Sequence, residues 1–186
     1  MEHPRINLSL CAIPLFFCAC HATRFDEQIK EMTSRSVQIQ SNKMCLISKN
    51  DSTYKFNSKS PFTMIYYIDS THCTSCTLNA ADEWIRELQP LSKDGELNTM
   101  IIVQPKKKEQ RFMATLYSDS ELTQPIWMDT CGIFMTNNPH IPDNSLFHNF
   151  MIDSLYNIVL IGNPAINNKL MQLATDITKK EIETKQ

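Results

Sequence analysis

The sequence predicts a mixed α/β sheet covered by helices on both faces, with an inserted strand-helix unit and a small N-terminal hairpin. Three observations carry this. Apolar runs biased to β-branched and aromatic residues, such as FTMIYYI and TMIIV, alternate with stretches whose apolar residues recur at helical spacing. The alternation closes with two apolar runs separated only by Ser154 and Leu155, which suits an antiparallel hairpin. The chain has 186 residues, 42% of them hydrophobic, enough to bury one core of its own.

Residues 1–19 have the layout of a secretory signal: a short polar start with Arg5, an apolar stretch from Ile6 to Phe17, then the small residue Ala19. The stretch is about twelve residues, too short for roughly 30 Å of hydrocarbon, so removal is expected over retention. Phe17, Cys18 and Ala19 before Cys20 resemble a bacterial lipobox, with Cys20 as the lipidated residue. Cys11 and Cys18 fit worse, each following a bulky residue. An ordinary signal peptide cleaved nearby is the alternative, and an N-terminal helix a third. Residues 20–60 then form a tether, in which Asp26 to Met32 suits a helix and VQIQ and MCLI, around SNK, suit an edge hairpin. Residues 48–61 are loop by composition.

Residues 61–183 carry the ordered pattern. Phe62 to Ile68 is nearly all apolar, as expected of a central strand covered on both sides. Asp69, Ser70 and Thr71 supply helix-start chemistry. Leu78, Ala81, Trp84, Ile85, Leu88 and Leu91 make one helical face, and Pro90 with Gly95 marks its end. Thr99 to Val103 is a second buried strand, 107–118 a helix with Phe112 and Leu116 inward, and PIWMD (125–129) a third strand. A short helix near Gly132 to Met135, the hairpin of 146–153 and 156–162, and an amphipathic helix from Ala165 to Glu183 follow. Ile166, Leu170, Leu173 and Ile177 are its apolar face.

Composition narrows function. A formal charge of −2 gives no long-range attraction for nucleic acid, and Lys106, Lys107 and Lys108, the one basic run, read as a solvated loop or first helical turn. Gly162 in GNP is a turn and helix start rather than a phosphate loop, so no nucleotide cofactor is expected. Trp84 and Trp127 read as core aromatics, and Asp82 and Glu83 as the solvent side of their helix.

The chemistry concentrates at HCTSC, where a buried strand meets a helix. Free N–H groups and the helix dipole there stabilise a thiolate on Cys73, and Cys76, one turn further, is close enough to attack a mixed disulfide. His72 adds positive charge when protonated, or is an exposed loop residue. Structural zinc needs four ligands, yet Cys45, Cys131, His72, His140 and His148 are scattered, so no metal is expected. Haem attachment would need His at position 77, which is Thr. Cysteines bridged without turnover remain the inert alternative, and Cys45 and Cys131 suit pairing, burial or resolution of Cys73 alike.

At these residues the chain resembles the thioredoxin-like fold, in particular the membrane-anchored, periplasmic TlpA-like thiol-disulfide oxidoreductases. The resemblance covers residues 60–178, from FTMIYYI through HCTSC, TMIIV and PIWMD to FMIDSLYNIVLIGNP and the last helix. It implies that Cys73 is the nucleophile and Cys76 the resolving thiol, with disulfide-containing envelope proteins as substrates and a protein as electron donor. It also implies an exported, lipid-anchored protein facing the periplasm. Three departures stand out. His72, Thr74 and Ser75 replace the aromatic and proline usual in the motif; the usual cis-proline falls on Phe147 or His148; and the usual buried acid falls on Tyr67, with Asp69 displaced by two residues. His148 is therefore a substrate-contact or pKa-tuning candidate. A non-catalytic scaffold with a structural disulfide is the rival reading. A peroxiredoxin is disfavoured, since Tyr66 and Ser70 stand where its proline and threonine belong.

Overall fold

A computed structural model describes residues 15–49, 60–92 and 95–184, with side chains from Arg24 to Lys180. Helix α1 (Leu15–Met32) leads to strand β1 (Cys45–Ile47) and then to β2 (Phe62–Ile68). Next come α2 (Thr74–Ser92), β3 (Leu97–Val103), α3 (Met113–Asp119), β4 (Ile126–Met128) and α4 (Ile133–Asn137). The hairpin β5 (Asn149–Asp153) and β6 (Ile158–Ile161) precedes the last helix, α5 (Asn168–Thr184). The strands form a single sheet in the order β1-β4-β3-β2-β5-β6. The β2/β3 and β3/β4 pairs are parallel, whereas β1/β4, β2/β5 and β5/β6 are antiparallel. Parallel neighbours require a crossover, and α2 supplies it between β2 and β3.

Strand alternation sends one set of side chains to each face. Met64, Tyr66 and Ile68 of β2 join Leu78, Ala81 and Leu88 of α2 and Ala174 of α5 on one side. Ile65 and Tyr67 join Met32 of α1, Phe134 of α4 and Phe147, Phe150 and Ile152 on the other. All seven residues of β2 are buried, the physical counterpart of its unbroken apolar run. Each large apolar side chain so buried contributes on the order of 1.5–3 kcal/mol.

Several elements depart from the sequence expectation. Among the described residues there is no N-terminal hairpin: β1 is an edge strand, but its partner is β4. The main chain of 37–40 is engaged elsewhere. Val37 N–H donates to the Tyr156 carbonyl (2.9 Å), and Asn138 brackets Gln38, accepting from its N–H at 2.7 Å and donating to its carbonyl at 2.9 Å. A buried side-chain amide thus takes the place of a strand partner. Helix α2 ends at Ser92, between Pro90 and Gly95 as expected, with Pro90 inside its last turn. The 107–118 helix is shorter, a 3-10 turn over Gln110–Phe112 followed by α3. Met113 and Tyr117, not Phe112, face the core; Phe112 is 50% exposed, with the Arg111 guanidinium over its ring. On α5 the packed residues are Leu170, Met171, Ala174 and Ile177, while Leu173 faces outward, as does Ile166 in the 3-10 turn before the helix. Residues 1–14 of the expected signal and 50–59 of the expected loop lie outside the described residues.

Candidate thiol-disulfide site

The site forms where the central strand β2 ends. Ile68 closes the strand, Asp69 to His72 turn the chain, and Cys73 precedes the first residue of α2. Its carbonyl accepts an early helical bond from Thr77 N–H at 3.0 Å. Cys73 and Cys76 are joined by a disulfide with a Cα–Cα distance of 5.4 Å, and both residues are exposed. Between them Thr74 is buried, and its hydroxyl donates to Glu109 Oε2 at 2.9 Å. That bond ties the start of α2 to the segment before α3.

Asp69 organises the turn. Its Oδ1 accepts from the Thr71 N–H (2.6 Å) and hydroxyl (2.5 Å) and lies 3.1 Å from His72 Nδ1. Its Oδ2 lies 3.1 Å from Nδ1 of His148, which precedes β5. Burial pushes the Asp69 carboxyl up, but the Thr71 bonds and the His72 ring outweigh it and hold it below the usual aspartate range. Asp69 is therefore anionic at neutral pH and faces both imidazoles. In the sequence Asp69 reads as a helix cap, displaced by two residues from the place of the usual buried acid. The i,i+3 spacing to His72 and the D-S-T turn were visible, but His148 is 79 positions away (148 − 69) and only the fold brings it in.

His148 stands just before β5 and is buried. Its Nε2 is 3.2 Å from the Pro142 carbonyl, its N–H donates to Ser145 O (3.1 Å), and its carbonyl accepts from Tyr67 N–H (2.9 Å). Burial pushes its pKa down, and the opposing Asp69 charge does not recover it. The Tyr67 ring meets it edge-on at 5.0 Å, and the Tyr67 hydroxyl donates to Gln104 Oε1 across a very short contact. Burial, with Asp129 and Asp69 nearby, raises the phenol, so it stays protonated.

A cavity of about 220 Å³ opens beside the disulfide, lined by Cys76, His72, His148, Tyr67 and Trp84 among others. On the other side of the turn Ser70, Gln104, Lys106 and Lys107 border a second of about 450 Å³. Cys45 and Cys131 are free and exposed. Asp129, buried before Cys131, accepts the Ile133 and Phe134 N–H groups at 2.9 and 2.8 Å and so caps α4. Cys20 falls within α1, but its side chain lies outside those described. Among the described residues no three His, Cys, Asp or Glu side chains are grouped as metal ligands.

The histidines set a pH dependence of stability. A histidine whose pKa is lowered by folding binds protons more readily when unfolded, so stability falls as pH drops through the ordinary value of about 6.5. His148 and His140, both lowered by burial, act in this sense. Asp69, depressed in the fold, adds a loss only as pH falls below the ordinary aspartate value of about 4. The melting midpoint should therefore decline between pH 7 and 5. His148→Gln should flatten part of that decline and leave the part due to His140; an unchanged slope would show that His148 contributes none.

No family model matches the chain, and no curated protein matches it in sequence. Solved structures do. A thioredoxin-like protein in its oxidised form is 14% identical, with a TM-score of 0.52 over 80% of this chain and 97% of that one. A variant of PrxQ from Xylella fastidiosa is 10% identical (TM-score 0.49; 78% and 94% covered). An exposed lipoprotein thioredoxin from Streptococcus pneumoniae is 15% identical (TM-score 0.44; 68% and 96% covered). The first likeness, with the mixed six-strand sheet and its flanking helices, makes this a thioredoxin-like fold.

Proposed function

We propose that this protein exchanges thiols and disulfides with other proteins through Cys73 and Cys76. The observation that carries the reading is an exposed disulfide that begins at the first turn of α2, just past the turn that follows a buried central strand. At a helix start, unpaired N–H groups and the dipole favour a thiolate on Cys73, and Cys76 is already within bonding reach. Cys73 attacks a substrate disulfide and Cys76 displaces the reduced product. The pair is then re-reduced by a protein donor. The substrates we infer are disulfide-containing envelope proteins, and the location is the periplasmic side of a bacterial membrane, with Cys20 lipidated, as the layout of residues 1–20 suggests. Among the described residues no helix is long and apolar enough to cross a membrane.

The equilibrium reduction potential of the Cys73–Cys76 pair tests the reading. We expect a value between about −120 and −270 mV, the span of exchange catalysts; a value below about −300 mV belongs to a structural disulfide and overturns it.

One observation favours a second reading, a protein-binding scaffold. Both main-chain polar groups of His148 are bonded within the fold, to Ser145 and Tyr67, so this position offers no backbone edge to a substrate. A partner that stays bound after complete thiol alkylation would favour the scaffold.

A further inference from the structure

Residues 106–111, KKKEQR, place four cations and one carboxylate in six positions of a chain whose formal net charge is −2. The exchange chemistry above gives this segment no task. The fold nevertheless fixes it beside the disulfide. Pro105, just past β3, is buried, and the chain then closes a turn in which the Glu109 and Gln110 N–H groups donate to the Lys106 carbonyl at 2.8 and 3.2 Å. Two side-chain bonds hold the turn in place. The hydroxyl of Thr74, buried between the two cysteines, donates to Glu109 Oε2 at 2.9 Å, and Gln110 Nε2 donates to the Thr130 carbonyl at 3.2 Å.

The positive charge here is left over. Glu109 is taken by Thr74, Asp69 is held by Thr71 and faces the two imidazoles, and Asp129 is buried as the cap of α4. Among the described residues no carboxylate pairs with Lys106, Lys107 or Lys108, and the last two are exposed. The cavity of about 450 Å³ is lined by Ser70, Gln104, Lys106, Lys107, Gln110 and Thr130 along with Pro105, and none of these is acidic. Every polar side chain in that lining carries a hydrogen-bond donor, the complement of carboxylate oxygens. Ser70 belongs to the turn that leads into Cys73, so the cavity borders the site itself.

We propose that this basic turn binds an acidic stretch of the substrate protein, lying within a few residues of the disulfide that Cys73 attacks. The proposal rests on the exchange reading and adds the substrate class. Cys73 and Cys76 perform the same bond exchange on any disulfide that reaches them; the turn decides which proteins reach them fastest.

Exposed charges act chiefly on encounter. Complementary charge raises association rates by roughly 10- to 1,000-fold at low salt, and like charge lowers them, so the lysines attract an acidic stretch and repel a basic one. The advantage is lost with screening, whose length falls from about 30 Å at 0.01 M salt to about 3 Å at 1 M. Once the three lysines are neutralised, Arg111 and Glu109 leave the segment with no net charge.

The test uses the full chain in mild detergent, with Cys11, Cys18, Cys20, Cys45 and Cys131 replaced by serine so that only the motif reacts. Two synthetic peptides share one disulfide-closed loop and differ in a flank of three glutamates or three lysines, set off from the loop by two glycines. The reduced protein is mixed with each at pH 7.5, quenched with acid at timed intervals, and scored by mass spectrometry for the Cys73–Cys76 disulfide. In about 10 mM salt the glutamate peptide should react at least about tenfold faster than the lysine peptide, and in 1 M salt the two should come within about twofold. With Lys106→Gln, Lys107→Gln and Lys108→Gln combined, the ratio at low salt should also fall to within about twofold. A ratio cancels any change in the reactivity of Cys73 itself. Equal rates for the two peptides at low salt, a preference for the lysine peptide, or a preference that survives in the triple variant overturns the proposal. Attack on neither peptide at any salt overturns the exchange reading, and the proposal with it.

Discussion

Cys73→Ser should abolish reduction of insulin disulfides, with a loss of at least about a thousandfold, whereas Cys76→Ser should retain the first attack and stall at a mixed disulfide. The asymmetry follows from position. Both cysteines are exposed, so access does not distinguish them. Cys73 precedes the first residue of α2, where the unpaired N–H groups of the opening turn and the helix dipole bear on its sulfur. A serine hydroxyl there is not ionised by the same field and forms no S–S bond. Cys76 acts only after the mixed disulfide exists, so its loss leaves an intermediate that sodium dodecyl sulfate gels show as a higher-mass band cleared by dithiothreitol. The double variant should be no worse than Cys73→Ser, because groups acting in sequence on one bond are not additive. Wild-type activity in Cys73→Ser would sink the exchange reading.

The strands and the principal helices were legible because burial on both sides leaves a strong mark. Phe62 to Ile68 is read directly as the strand β2, since a fully covered strand needs apolar residues at every position. The motif was legible for a related reason: Cys73 and Cys76 are contiguous with the strand end and the helix that activate them. What failed were inferences from local spacing where distant residues decide. VQIQ has the composition of a strand, but Asn138, 100 positions on, satisfies Gln38. Leu173 fits the apolar stripe of α5, yet the sheet contacts the helix a little to one side, through Leu170, Ala174 and Ile177. Asp69 is the instructive case. A short acid before a helix is most simply a cap, and it does accept the Thr71 N–H. Its second oxygen reaches His148 only because β5 pairs antiparallel with β2 and sets its leading residue beside the turn. The aligned position of the missing proline was visible, but not that a buried imidazole there would meet a carboxylate.

Phe150→Ala should cost about 3–5 kcal/mol of stability and Phe112→Ala less than about 1 kcal/mol, although the same ring is removed in each. Phe150 is fully buried on β5, across from Ile65 on one neighbour and Ile161 on the other, within the core that also holds Tyr67, Phe134 and Phe147. Truncation there removes contacts on every side and leaves a cavity that a sheet interior cannot collapse to fill. Phe112, half exposed, loses little beyond the Arg111 guanidinium 4.6 Å above its ring. Single domains hold only about 5–15 kcal/mol in total, so the first change takes a large share of the whole. Urea unfolding at fixed pH measures both, the midpoint moving far for Phe150→Ala and barely for Phe112→Ala at similar slopes. Equal shifts would mean that the helical spacing of 107–118 had located the core correctly and that Phe112 packs inward. Because Phe150 lies two residues beyond His148 on the same chain segment, its truncation should also loosen the cavity wall. Exchange activity should then fall with temperature well before the rest of the fold unfolds.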